Sequence, residues 1–261
     1  MRNHPPRSVE GDYRIGPIAI LEPLALRLIQ TVRALAGEDL EFRVIEDAGP
    51  EAMRAALRGA PYAITRGVAL PEDVLAEADA LQLIHQWGTG VDGIPVTQAL
   101  GRGMTVARCP GVNAPSVADL TIALMLSTLR KLPQTDAGFR AGHWHMPELW
   151  DEARDLAGMT VGLLGFGAIG QAVARRLQGF DCDVRYWRRS GPMPGADARF
   201  CEVDILLAEC DVVSVHMPLT EGTRDFLSTE RLASMKQGAV LVNTSRGGLV
   251  DETALLVALR K

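Results

Sequence analysis

A chain of 261 residues with 47% hydrophobic content can fill one large core or two ordinary ones. Its net charge of −5, with no basic stripe carrying interleaved aromatics, argues against nucleic acid as the partner, and no apolar run approaches the roughly 18 residues that span a bilayer. Cys109, Cys182, Cys201 and Cys210 lie far apart with no CxxC pair, which predicts reduced thiols in a cytoplasmic protein.

The opening stretch, MRNHPPRSVEGDYR, lacks an apolar core and reads as a loose leader, not a secretory signal. From Pro17 onward short β-branched runs alternate with amphipathic ones: PIAIL then PLALRLIQTVRALA, EFRVIE then PEAMRAALR, YAITR then PEDVLAEA, LQLIHQ then a glycine-rich loop and TVARC. That alternation predicts βα units on a parallel sheet. A second series follows the expected helix APSVADLTIALMLSTLRKL and the polar segment PQTDAGFRAGHWHMPELWDEARDLAG, which reads as neither element. Strands are expected at MTVGLLG, DVRYW, DVVSVHMP and AVLVNTS, with helices at AIGQAVARRLQGF, DILLAE and TERLASM. The expected fold is α/β, two doubly wound parallel-sheet domains divided at about residue 112, as 1–112 and 113–261.

Ligands of such sheets bind beyond the carboxyl ends of the strands, and three loops there carry chemistry. In VGLLGFGAIGQAVARRL, Gly165, Gly167 and Gly170 form GxGxxG between a strand and a helix. The first glycine permits the turn, the second lets backbone approach a pyrophosphate, and the third lets helix and strand pack. Unpaired N–H groups at the helix start then meet the phosphates, so the reading is a dinucleotide site, with a merely structural glycine turn as the bland alternative.

Where an NAD site would place an acidic residue after the next strand, this chain has Arg188, Arg189 and Ser190. Two guanidiniums and a hydroxyl suit a 2′-phosphate, which favours NADP over NAD; a solvated basic turn is the alternative. Arg185 joins them in a tight basic cluster along the sequence. In the second loop, VVSVHMPLTEGT, Pro218 ends a strand and places His216 and Thr220 near the nicotinamide half of a dinucleotide. His216 reads as a residue that fixes loop geometry more than as a catalyst. The third loop puts Arg246 just past AVLVNTS, where a fixed cationic fork can pair with a carboxylate and polarise an adjacent carbonyl, the two groups of a 2-keto acid. Gly247 and Gly248 are expected to let the backbone turn away sharply.

Taken together, GFGAIG, VVSVHMPLT and MKQGAVLVNTSRGGLVDE resemble the D-isomer-specific 2-hydroxyacid dehydrogenases in order and spacing. The resemblance implies a flavodoxin-like substrate domain and a Rossmann domain, a homodimer, and a small 2-keto or 2-hydroxy acid substrate with NAD(P). It implies cofactor contacts from Gly165, Phe166, Gly167, Ala168, Ile169 and Gly170, and a nicotinamide side lined by His216, Met217, Pro218, Thr244, Ser245 and Arg246. LIHQWGTGVDGIPV is similar to the family's substrate loop, which assigns carboxylate-binding amides to Thr89 and Gly90 and a place near the substrate to Asn113 in CPGVNAPSVADL. Arg246 is the catalytic residue the resemblance carries over.

In the family a catalytic glutamate and a catalytic histidine come further on after the RGG segment; the resemblance assigns neither to a residue between Arg246 and Lys261, Glu252 included. The expectation is therefore a Rossmann domain recorded incomplete, poorly soluble and nearly inactive by itself. No other histidine is a ready substitute. His4 lies in the leader, HWH at 143–145 has no third ligand that would make it a zinc site, and His85 stands upstream of the proposed carboxylate-binding amides. A non-catalytic dinucleotide-binding module and a formate or phosphite dehydrogenase-like relative are the competing readings.

Overall fold

A computed structural model describes residues 16–37, 40–144 and 151–260, which fall into two compact units divided between Cys109 and Pro110. The leader, with His4, and His145 of the HWH stretch lie outside the described residues.

The first unit is a five-stranded parallel sheet in the order β2-β1-β3-β4-β5, formed by Ile18–Ile20 (β1), Phe42–Val44 (β2), Tyr62–Thr65 (β3), Leu83–Gln86 (β4) and Thr105–Arg108 (β5). This is the flavodoxin-like order, in which the chain reverses direction across the sheet between β1 and β3. Helices Leu26–Ala36 (α1), Pro50–Leu57 (α2), Glu72–Ala76 (α3) and Val96–Gly101 (α4) make the crossovers. Ala19, Ala63 and Ile84 on the strands pack with Met53, Leu57 and Leu75 on the helices in one core.

The second unit has the order β10-β9-β6-β7-β8, from Thr160–Leu164 (β6), Asp183–Trp187 (β7), Arg199–Phe200 (β8), Val212–Val215 (β9) and Val240–Asn243 (β10). All its pairings are parallel, and both sheet faces are covered: Val161, Leu163 and Tyr186 pack on one side, Leu164, Val213 and Val215 on the other. Every residue of β9 is buried, as a central strand between two helical layers requires. The helices are Ala114–Leu129 (α5), Leu132–Arg140 (α6), Ala168–Leu177 (α7), Val203–Glu209 (α8), Thr229–Ser234 (α9) and Glu252–Ala258 (α10). The order reverses between β6 and β9, which puts the switch point beside the glycine loop.

Several sequence expectations need correction. The glycine-rich tract after β4 contains α4, six residues that follow Pro95 and stop before Gly103 at φ 78°. The polar segment after α5 is helical at its start: Lys131 takes the left-handed conformation at φ 55°, which ends α5 at Leu129, and Pro133 opens α6. Helix α6 buries none of its residues, so no apolar stripe marks it in the sequence. Strand β8 is two residues long and was not anticipated at all.

Candidate dinucleotide site

The carboxyl ends of four strands in the second unit are stitched side by side. Gly165 N donates to Trp187 O at 2.8 Å, His216 N to Leu164 O at 2.7 Å, and Ser245 Oγ to Val215 O at 2.8 Å. The glycine, arginine, histidine and Arg246 segments therefore share one edge, as the parallel topology demands.

Gly165 has φ 99°, and a Cβ there would lie 2.6 Å from His216 O. Gly170 is forbidden a side chain for a different reason, since its Cβ would lie 2.3 Å from Gly165 O. Around Gly167 a Cβ would meet nothing within 4 Å, so this glycine is not a packing requirement of the fold. It caps α7 without any side-chain bond to the first turn, and the helix start presents bare amides to open space. Bare N–H groups on a ten-residue helix beside a side-chain-free position fit a pyrophosphate. Phe166 is buried beneath the turn, stacked on Tyr186 at 3.9 Å between ring centroids, and Ile169 packs into the same core. Ala168 Cβ lies 3.2 Å from where a Cβ on Gly111 would stand.

Beyond β7 the basic cluster separates into three roles. Arg185 is bound to Asp183 at 2.9 Å and to Glu209, and these partners raise its pKa further. Arg188 turns back on its own loop, donating from Nε to Gly191 O at 2.6 Å and from Nη2 to Pro192 O at 3.2 Å. Tyr186 Oη accepts from Met193 N at 2.6 Å and pins the same loop. Arg189 and Ser190 are exposed, and Arg189 has no side-chain partner among the described residues. The expectation of one joint cluster is thus corrected: the carboxylates of Asp183 and Glu209 and two loop carbonyls occupy two of its three guanidiniums.

At the end of β9, His216 Nε2 lies 3.0 Å from the Oγ of buried Ser214, while Nδ1 is buried with no partner among the described residues. Burial lowers its pKa to about 4, so the ring is neutral near pH 7. Met217 is buried and Pro218 exposed. Thr220 serves its own turn, where its N–H donates to Thr223 Oγ1 at 2.8 Å and Thr223 Oγ1 donates to Pro218 O at 2.7 Å.

The last strand is followed by a bracketed turn. Asn243 Oδ1 accepts from Ser245 N at 2.9 Å and Asn243 Nδ2 donates to Arg246 O at 2.9 Å, so one amide side chain clamps both sides of the arginine. Arg246 is exposed, with Nη1 3.0 Å from Ser245 O. Thr244 lies 3.1 Å, hydroxyl to hydroxyl, from buried Thr121 of α5. Gly247 and Gly248 form a short 3₁₀ turn and neither has positive φ; Gly248 is small because a Cβ would come 3.3 Å from Leu219. Asp251 caps α10 through Ala254 N at 3.0 Å, as its sequence position suggests.

In the first unit Thr89 and Gly90 follow β4. Thr89 Oγ1 donates to Cys109 O at 3.1 Å, Arg108 Nη1 donates to Thr89 O at 3.2 Å, and Cys109 N donates to Gly88 O at 2.9 Å. Gln86 is buried, bracing the neighbouring loop through Arg66 O at 2.6 Å. Glu22 receives Arg66 Nε at 3.0 Å and Gly67 N at 2.8 Å on the same edge. Asn113 belongs to the second unit, exposed and immediately before α5. Sequence reasoning passed over Asn243, Ser214, Tyr186 and Thr121; Asn243 alone left a sign, as an amide residue set to close a turn.

Among the described residues no three His, Cys, Asp or Glu side chains gather as a metal site, and no helix is long and apolar enough to cross a membrane.

Residues 122–261 match the family described as "D-isomer specific 2-hydroxyacid dehydrogenase, NAD binding domain". The chain is 38% identical over 183 residues to a hydroxypyruvate reductase of Thermotoga maritima, covering 70% of this chain and 59% of that protein. It is 37% identical over 198 residues to a glyoxylate reductase of Thermococcus litoralis, covering 73% and 60%. The chain thus spans about three-fifths of the length of these relatives. A solved formate dehydrogenase of Staphylococcus aureus in complex with NAD is similar with a TM-score of 0.84 and 26% identity, over 94% of this chain and 77% of that one.

Proposed function

Because the chain belongs to the D-isomer-specific 2-hydroxyacid dehydrogenases, we propose that it takes part in hydride transfer between NAD(P)H and a small 2-keto acid. The observation that carries this reading is the open space over Gly167 at the start of α7, on the same sheet edge as Arg246. When bound, the dinucleotide supplies a hydride from its nicotinamide ring to the substrate C2. The chain's own residues bind and orient cofactor and substrate. Amides from Gly167 to Ile169 hold the pyrophosphate, with Gly165, Phe166 and Gly170 shaping the turn. His216, Met217, Pro218, Thr220, Thr244 and Ser245 bound the nicotinamide side, and neutral His216 is not a proton donor there. Thr89 and Gly90 are the amides assigned to a substrate carboxylate, Asn113 is assigned a place near the substrate, and Arg246 is assigned to orient the keto acid and polarise its carbonyl.

NADP is the preferred cofactor in this reading, since Arg189 stands uncommitted where a ribose 2′-phosphate would arrive and the residues directly after β7, Arg188 to Ser190, include no carboxylate. Four free cysteines support a cytoplasmic address. A homodimer is supported by the exposed apolar side chains Leu120 and Leu124 on α5 and Leu132 and Phe139 on α6.

The test titrates the purified chain with NADPH and NADH by tryptophan fluorescence, then assays glyoxylate and hydroxypyruvate reduction and formate oxidation. Tighter binding of NADPH than of NADH is expected, with at most slow reduction of a 2-keto acid, since none of these residues supplies the proton that the carbonyl oxygen takes up. Formate oxidation in its place would favour the second reading, to which the formate dehydrogenase likeness points. Failure to bind either nucleotide overturns both.

A further inference from the structure

A thiol and an imidazole meet in the first unit, outside the dinucleotide site. Cys109 Sγ lies 3.7 Å from His85 Nε2. The register explains the encounter: His85 on β4 pairs with Ala107 on β5, and Cys109, two residues on, returns to the same sheet face diagonal to the imidazole. Both residues are half-buried, so the pair is sheltered from bulk water yet within reach of a small reagent.

A thiolate is the nucleophilic form of cysteine, and an imidazole in contact takes its proton and stabilises the resulting anion. The other three cysteines are placed differently. Burial pushes the thiols of Cys182 and Cys201 up, and that of Cys210 up to about 12. Cys109 is also wired to its loop through both backbone groups, its N–H on Gly88 O and its carbonyl on Thr89 Oγ1.

We propose that Cys109 and His85 form a reactive thiol–imidazole dyad, a modification site for small electrophiles and hydroperoxides whose occupation disturbs the Thr89–Gly90 loop. That consequence for the loop rests on the substrate role proposed above; the reactivity does not. With hydrogen peroxide, the thiolate attacks one peroxide oxygen: an S–O bond forms, the O–O bond breaks, and sulfur is oxidised by two electrons to a sulfenic acid. The departing hydroxide takes up the proton the thiol gave up, passed through His85, and leaves as water.

The test treats the purified chain, with no nucleotide present, with limiting iodoacetamide for timed intervals and reads each cysteine by peptide mass spectrometry. Cys109 is expected to react about tenfold faster than Cys182 or Cys201. His85→Gln and His85→Asn, each with an unchanged melting temperature, are expected to slow Cys109 severalfold and leave the other cysteines unaffected. Hydrogen peroxide followed by dimedone is expected to mark Cys109 first. Equal rates at Cys109 and Cys182, or a Cys109 rate indifferent to both His85 variants, overturns the dyad. Glyoxylate at saturation slows the labelling only if the Thr89–Gly90 loop holds it, so fast labelling without protection faults the substrate reading and leaves the dyad standing.

Discussion

Thr244 donates its hydroxyl proton to Thr121 across 3.1 Å, and the direction follows from counting protons. Thr121 has one hydroxyl proton and gives it to Val117 O at 2.8 Å, so its oxygen can only accept from Thr244. The bond ties α5 to the end of β10 two residues before Arg246. Thr121→Val keeps the shape and removes the acceptor, which is expected to destabilise the second unit by about 1–2 kcal/mol. Thr121→Ser is expected to restore most of it, because the hydroxyl and its bond to Val117 O remain. Urea unfolding of the three proteins decides, and a serine variant as weak as the valine one would show that the methyl packing, not the hydroxyl chain, matters.

The three glycines of the fingerprint should fail in different ways. Gly165→Ala forces a side chain onto a residue at φ 99° and against His216 O, and Gly170→Ala drives one into Gly165 O. Each is expected to lower stability by about 1–3 kcal/mol, the range of a strained or overpacked site. Gly167→Ala meets no atom within 4 Å in the protein and should melt like the parent. Its methyl enters the space assigned to the pyrophosphate, so the predicted loss is in NADPH affinity, read by fluorescence titration. A Gly167→Ala protein that binds normally would place the phosphates elsewhere.

That contrast also marks where the sequence was readable. GxGxxG announced a strand, a turn and a helix because all three glycines sit in a period set by backbone geometry, and the alternation of β-branched and amphipathic runs gave both parallel sheets. It also divided the roles, the second glycine for the ligand and the first and third for the fold, but not the atom that excludes a side chain at Gly165, since His216 O lies about fifty residues away along the chain. Helix α6 was hidden for the opposite reason: with no buried residue it has no apolar period, and only Pro133 and the i,i+4 pair Asp136–Arg140 mark it. The guanidinium cluster misled because adjacent arginines on a strand and its loop point to different partners, which a linear motif cannot express.

Arg188 and Arg189 provide a direct comparison. Arg189→Gln removes the uncommitted guanidinium, and NADPH affinity is expected to fall about 10- to 100-fold, the worth of a charge-assisted phosphate pair, with NADH affinity unchanged. Arg188→Gln removes bonds to Gly191 O and Pro192 O, so it should loosen the loop and weaken both nucleotides alike. Dissociation constants for the four combinations check this. Selective loss of NADPH in the Arg188 variant would reverse the assignment.

His216 gives the chain a pH-dependent stability whose sign can be worked out. Burial lowers its pKa from 6.5 to about 4, so between those values the unfolded chain takes up a proton that the folded protein refuses. The contribution is fully present above the unfolded value and is lost as pH falls toward 4, amounting at most to about 3 kcal/mol. Carboxylates add their own acid lability, which makes the informative quantity the difference between the protein and its His216→Gln variant. Glutamine can still meet Ser214 Oγ but does not titrate. Urea midpoints measured from pH 7.5 to 4.5 are expected to fall more steeply for the parent than for the variant, with most of the divergence below pH 6.5, and parallel curves would mean that His216 is protonated in the folded state at little cost.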